Sequence, residues 1–137
     1  MTRRVISRTR CSNCGLCCEE TEMELSIRDI NELEKAGYHR KKFSVTGEDG
    51  ITRLRNVEEW CFFYNQTEKR CQVYEVRPIG CYTYPVVYSD NGEVVIDELC
   101  PMGHTISYQE LKVKGRILIK LINTLDKERT SKIENYY

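Results

Sequence analysis

Half of the chain's eight cysteines stand in the stretch CSNCGLCCEE, at Cys11, Cys14, Cys17 and Cys18. The others are Cys61, Cys71, Cys81 and Cys100. Thiolates are soft ligands that suit zinc, iron and iron–sulfur clusters. The C-x2-C-x2-C spacing of Cys11, Cys14 and Cys17 lets three sulfurs converge on one centre while the intervening N–H groups point at them. Ferredoxin-type clusters use this run together with a remote cysteine followed by proline, and Cys100-Pro101 fits that remote position. Gly15 lets the backbone pass close to an inorganic centre with no Cβ in the way. Cys17 and Cys18 are neighbours, and a disulfide between neighbours closes a small, strained ring. The pair reads instead as one ligand and one adjacent thiol, or as ligands of two centres.

Zinc competes with iron for such a set. Tetrahedral zinc sites also use C-x2-C pairs, with four cysteines or with three and a histidine. Cys100-x3-His104 could supply a mixed pair, although His104 and His39 read more simply as solvated or hydrogen-bonded side chains. Three cysteines at two-residue intervals exceed what a zinc knuckle needs. The spacing therefore favours a [4Fe–4S] cluster, with Zn2+ as the alternative.

A chain of 137 residues has the size of one domain, and at 40% hydrophobic it can bury a modest core. A formal net charge of zero gives no general support to nucleic-acid or membrane-surface binding. No apolar run approaches the roughly 18 residues of a membrane span. The opening MTRRVISRTR has arginines but no apolar segment of a signal peptide behind them, so the expected location is cytoplasmic. A reducing cytosol disfavours structural disulfides, which turns a cysteine cluster towards metal or redox chemistry. Four disulfides in a secreted domain is the competing reading.

Several elements must position these sulfurs. SIRDINELEKAG (Ser26–Gly37) predicts a short helix, with Ser26 and Asp29 in a capping box and Gly37 just past its end. FSVTGEDGITRLR predicts a hairpin, and WCFFYNQTEKRCQVY another whose closure would bring Cys61 towards Cys71. VRPIGCYTYP is punctuated by Pro78, Gly80 and Pro85 and reads as an irregular, ligand-bearing loop around Cys81. VVYSDNGEVVID predicts a hairpin with a type I′ turn at Asn91-Gly92, its second strand leading to Cys100. Residues 107–130 predict a long helix capped by Ser107 and Glu110, with Leu111, Leu118, Ile122 and Leu125 on its apolar stripe. Gly115 weakens that helix without breaking it. The stripe reads as core, with a partner-binding face as the sharper alternative.

The sequence resembles the CxxCxxCC cysteine-cluster family, whose members are taken as chelators of zinc or iron. The resemblance rests on Cys11, Cys14, Gly15, Cys17 and Cys18, on Ser26, Asp29 and Ile30, on Cys61-Phe62-Phe63, on the run Cys71 to Pro78 with Cys81 three residues on, and on Cys100-Pro101. It implies metal chelation by Cys11, Cys14, Cys17, Cys18, Cys61, Cys71, Cys81 and Cys100, and it implies no single activity. Arg77, in Arg77-Pro78, reads either as part of a turn or as a cofactor-binding cation that offsets the negative charge of a thiolate-bound centre.

The expected fold is a small, cysteine-rich α+β domain over 1–137, stapled by metal, with short hairpins, one short helix and a long C-terminal helix. Residues 1–10 form a basic arm carrying Arg3, Arg4, Arg8 and Arg10, read either as a solvated tail or as a contact for an acidic protein surface or, less favoured, nucleic acid. Aromatics are not interleaved with these arginines, which counts against single-strand binding. No nucleophile–base set is visible. The expected function is an iron–sulfur accessory protein that docks on a larger enzyme or assembly and responds to redox state or oxygen. A metal-dependent enzyme and a structural zinc module that binds protein or RNA are the alternatives.

Overall fold

The structure, a computed structural model, describes residues 18–98, 100 and 102–136, with side chains as far as residue 131. Cys11, Cys14 and Cys17, Gly15, Pro101 and the basic arm lie outside the described residues. Short antiparallel hairpins, short helices and one long helix make an α+β fold.

Ser26 opens the first helix as its sequence predicts. The Asp29 N–H donates to Ser26 Oγ at 3.1 Å, and the Ser26 N–H donates to the Asp29 carboxylate at 3.0 Å. The helix α1 (Ile27–Lys35) buries Ile30 and Leu33. Gly37 follows at φ +104, a conformation that costs glycine little because it has no Cβ. A single turn, α2 (Arg40–Phe43), has no counterpart in the sequence pattern, being too short to show periodicity. His39 caps it, Nδ1 accepting the Lys41 N–H at 3.2 Å.

The strands β1 (Ser44–Thr46) and β2 (Thr52–Leu54) form the first predicted hairpin, in the register Val45↔Arg53. The second prediction needs correction. One hairpin does not join Cys61 to Cys71. Instead β3 (Asn56–Val57) pairs with β4 (Trp60–Cys61), and β5 (Tyr64–Asn65) pairs with β6 (Arg70–Cys71). Cys71 therefore faces Tyr64 across its ladder. Phe62 and Phe63 stand between the two hairpins. Phe63 is buried, with ring contacts to Tyr38 at 5.0 Å and to Phe43 at 5.5 Å. The run alternates, with Cys61 and Phe63 buried and Trp60, Phe62 and Tyr64 half-buried, and it changes partner midway: the Phe62 N–H donates to Arg55 O at 2.9 Å and Phe63 O accepts the Gln72 N–H at 2.8 Å. Asn65 then closes the later turn, its side-chain oxygen accepting the Glu68 N–H at 2.9 Å.

The loop predicted around Cys81 resolves into a 3-10 turn (Tyr74–Val76) and the short helix α3 (Ile79–Thr83). Prolines bound this helix. Arg77 and Tyr84, each preceding a proline, are held out of helical backbone at ψ 144 and ψ 136. The strands β7 (Val86–Tyr88) and β8 (Val94–Ile96) form the hairpin predicted around Asn91-Gly92. Its turn is not type I′, because Gly92 is at φ +80 while Asn91 is not in the left-handed region. The Gly92 N–H reaches Ser89 O at 3.0 Å and the Ser89 N–H reaches Glu93 O at 2.8 Å. This is a three-residue loop closed by one left-handed glycine.

The last helix, α4 (Tyr108–Tyr136), runs further than the predicted 107–130. Ser107 caps it, Oγ accepting the Glu110 N–H at 3.1 Å. Leu118, Leu121, Ile122 and Leu125 are buried against Val86, with Leu111 packing at the margin, so the stripe is core. Gly115 permits close packing of the helix on β8: a Cβ there would stand 3.2 Å from a Val94 methyl. A separate cluster of Met23, Leu25, Ile30, Leu33, Phe43, Leu54, Cys61, Phe63 and Val73 gathers under α1 and the first hairpins. Glu128 ties the two regions together, accepting the Ile27 N–H at 3.0 Å. Among the described residues no helix is long and apolar enough to cross a membrane.

Candidate metal centre

The segment from Cys18 to α1 is laid along the hairpins. Asn56 holds it with both ends of its amide, accepting the Thr21 N–H and donating to Thr21 O, each at 3.0 Å. The Leu54 N–H donates to Met23 O and the Leu25 N–H to Thr52 O. Glu19 bridges antiparallel to Trp60, and one step along that register brings Cys18 alongside Cys61.

Cys18, Cys71 and Cys81, all half-buried, pack against the cluster that contains buried Cys61. Four cysteines from four separate segments thus meet one apolar body. Cys100, also buried, belongs elsewhere, with Tyr84 and Val87. There the Tyr84 hydroxyl donates to the buried Asp97 carboxylate at 2.7 Å, and the Cys100 N–H reaches Asp97 O at 3.3 Å. Among the described residues no three His, Cys, Asp or Glu side chains are gathered closely enough to hold a metal ion. The donor set itself is all thiol. Around an apolar cluster it fits a thiophilic metal or an iron–sulfur centre better than a hard, oxygen-seeking cation. Neither histidine strengthens the set: His39 caps α2 and His104 is exposed.

Cys81 sits on α3, and two buried charged groups grip that helix from opposite ends. At its start Asp29, which is 4% exposed, accepts the Ile79 N–H through Oδ1 at 2.9 Å, with Oδ2 engaged in the α1 cap. Towards its end Lys114 of α4, also 4% exposed, donates to Tyr82 O at 2.9 Å, with its ammonium 3.9 Å from the Tyr82 ring centre. Burial pushes the Asp29 carboxyl above its ordinary range, and the bonds from Ile79 and Ser26 pull it back. Burial lowers Lys114 to about 8, helped by the Arg77 charge and opposed by Glu110.

Arg77 stacks its guanidinium 4.0 Å from the Tyr74 ring centre and 5.7 Å from that of Tyr82. It thus lies among the tyrosines flanking the Cys71 and Cys81 segments. A cleft of about 520 Å³ opens beside it, lined among others by Arg28, Glu32, Tyr74, Arg77, Ile79 and Tyr82. Lys114 is not among the site residues that the sequence motifs single out. Its signal was present: it stands three residues after Leu111 and four before Leu118, a charge within an apolar stripe. Asp29 was read as a helix cap only, since its second bond crosses fifty residues.

A chain with thiols drawn from separate segments onto one small core has the build of a cysteine-rich metal-chelating domain. Residues 10–101 match the CxxCxxCC family, described as "Putative zinc- or iron-chelating domain", and the chain belongs to that family. An uncharacterized protein of Methanocaldococcus jannaschii is 28% identical over 94 residues, covering 63% of this chain and 50% of the relative. The chain thus spans about half the length of that curated relative. No solved structure matches it.

Proposed function

We propose that this protein is a cytoplasmic, non-enzymatic accessory protein that carries a [4Fe–4S] cluster on its cysteines, docks on a larger enzyme or assembly, and responds to redox state or oxygen. The observation that carries the reading is the meeting of Cys18, Cys61, Cys71 and Cys81 on one apolar cluster, together with the ferredoxin-like run Cys11, Cys14 and Cys17 in the sequence. Cys100 completes the candidate ligands, and Arg77 offsets cluster charge from its seat between tyrosines. When bound, the cluster supplies a one-electron redox centre whose loss releases the segments it joins. The basic arm of Arg3, Arg4, Arg8 and Arg10 is the proposed contact for the partner, acting on association rate and salt dependence.

Metal analysis of protein purified without oxygen tests this. The expected preparation is brown, absorbs near roughly 400 nm, and contains iron and acid-labile sulfide. Stoichiometric zinc without sulfide under those conditions replaces the reading with a zinc domain. A second reading, a metal-dependent enzyme, would use the cleft of about 520 Å³ beside α3 for substrate; among the described residues its lining holds Arg77 and Tyr82 but no cysteine. Turnover of a small molecule by the isolated, metal-loaded protein would favour that reading over the accessory role.

A further inference from the structure

The five residues of α3 are too few to hold a helix on their own, since nucleation consumes most of the gain from so short a ladder. The first N–H groups and last C=O groups of any helix also lack partners within it. In this protein the partners at the two ends are charged, buried and supplied by different helices. Asp29 of α1 takes the Ile79 N–H, two residues before Cys81. Lys114 of α4 reaches the Tyr82 carbonyl, one residue after it. A negative group near the start of the helix and a positive group near its end also match the direction of the peptide dipoles.

We infer that Asp29 and Lys114 are a pair of positioning residues that hold the Cys81 helix, and with it the Cys81 thiol, in place in the metal-free protein. The purpose assigned to this clamp rests on the reading of Cys81 as a ligand. A thiol already seated costs less ordering when metal binds. Asp29 suits the task because both of its oxygens act as acceptors, one for each helix. Asparagine has only one acceptor oxygen and cannot serve both N–H groups. Lys114 suits it because its long stem crosses from α4 and delivers the ammonium to one carbonyl.

The test is pulse alkylation of the full-length, metal-free, reduced protein with iodoacetamide, each cysteine being followed separately by mass spectrometry. Asp29→Leu, which leaves no acceptor for the Ile79 N–H, and Lys114→Met should each speed labelling of Cys81 about tenfold relative to Cys61 and Cys100 in the same sample. Ser26→Ala removes the hydroxyl half of the α1 cap and leaves the Asp29–Ile79 bond, so it should leave that ratio unchanged. A purely electrostatic influence on the thiol would move Cys81 in opposite directions in the Asp29 and Lys114 variants, and that result overturns the clamp. So does an equal rise at all cysteines, which marks general loosening, or no change in either variant. A separate arm measures zinc content of Cys81→Ser after loading with zinc alone. Full retention there removes Cys81 from the ligand set, whereas the alkylation ratios report on the clamp itself.

Discussion

Lys114 gives up hydration to reach a single carbonyl, and the sign of its pH response follows from that. Its pKa is about 8 in the folded chain and 10.5 when unperturbed. Below pH 8 both folded and unfolded chains hold the proton, and the folded chain bears the full burial penalty. Between about pH 8 and 10.5 the folded chain has released it while the unfolded chain has not, so the penalty fades as pH rises. Lys114→Met keeps the stem and loses the charge. The stability of the unaltered protein relative to this variant should therefore rise between about pH 7.5 and 10, as measured by urea denaturation of both proteins across that range. A difference that is flat with pH would mean that Lys114 is not desolvated.

The seating of α4 on the β7–β8 hairpin depends on what Gly115 lacks. A Cβ at that position already stands 3.2 Å from a Val94 methyl, which must give way by a few tenths of an ångström, and a branched side chain crowds it further. Gly115→Val should cost about 1–3 kcal/mol through overpacking, read as a lowered denaturation midpoint with helix content kept. The same position shows what the sequence can and cannot disclose. Composition and spacing mark Gly115 as a weak point in a helix; only the approach of Val94 gives the reason for it. Ser26 and Asp29 were legible because a capping box is local, and the stripe of Leu118, Ile122 and Leu125 because helical periodicity is local too. The 60–74 segment holds a hairpin only from Tyr64 to Cys71, because residues 60–62 pair back to residues 55–57, which lie outside the segment. The Asn91-Gly92 turn was placed correctly but assigned the wrong type, since a three-residue loop with one left-handed glycine uses the same letters. Of the candidate site, the cysteine types were plain in the sequence. The meeting of Cys18, Cys61, Cys71 and Cys81 on one cluster, with Cys100 in another, was not, because it depends on contacts between hairpins.

Among the described residues the thiols belong to segments that share few strand pairings. The paired strands among the described residues are two or three residues long, in sheets of two strands. Isolated hairpins of that size are marginal in water. Metal that bridges such segments contributes its binding free energy to folding. Cys14→Ala and Cys81→Ala should each reduce bound metal and lower Tm by at least about 5 °C, as measured by metal analysis and calorimetry on anaerobic protein. Unchanged metal and melting in both variants would take those two residues out of the ligand set.

The family signature stops at residue 101, yet the helix that covers Val86 and supplies Lys114 begins at Tyr108. The stretch that matches the family and the stretch that packs into the core therefore end at different residues. A chain cut after Ser107 would keep its cysteines and lose the lid over Val86 and Ile79. It should bind a fluorescent apolar dye and melt without a cooperative transition. A relative that inherits the cysteine segment without such a helix needs a substitute, from its own added sequence or from another molecule.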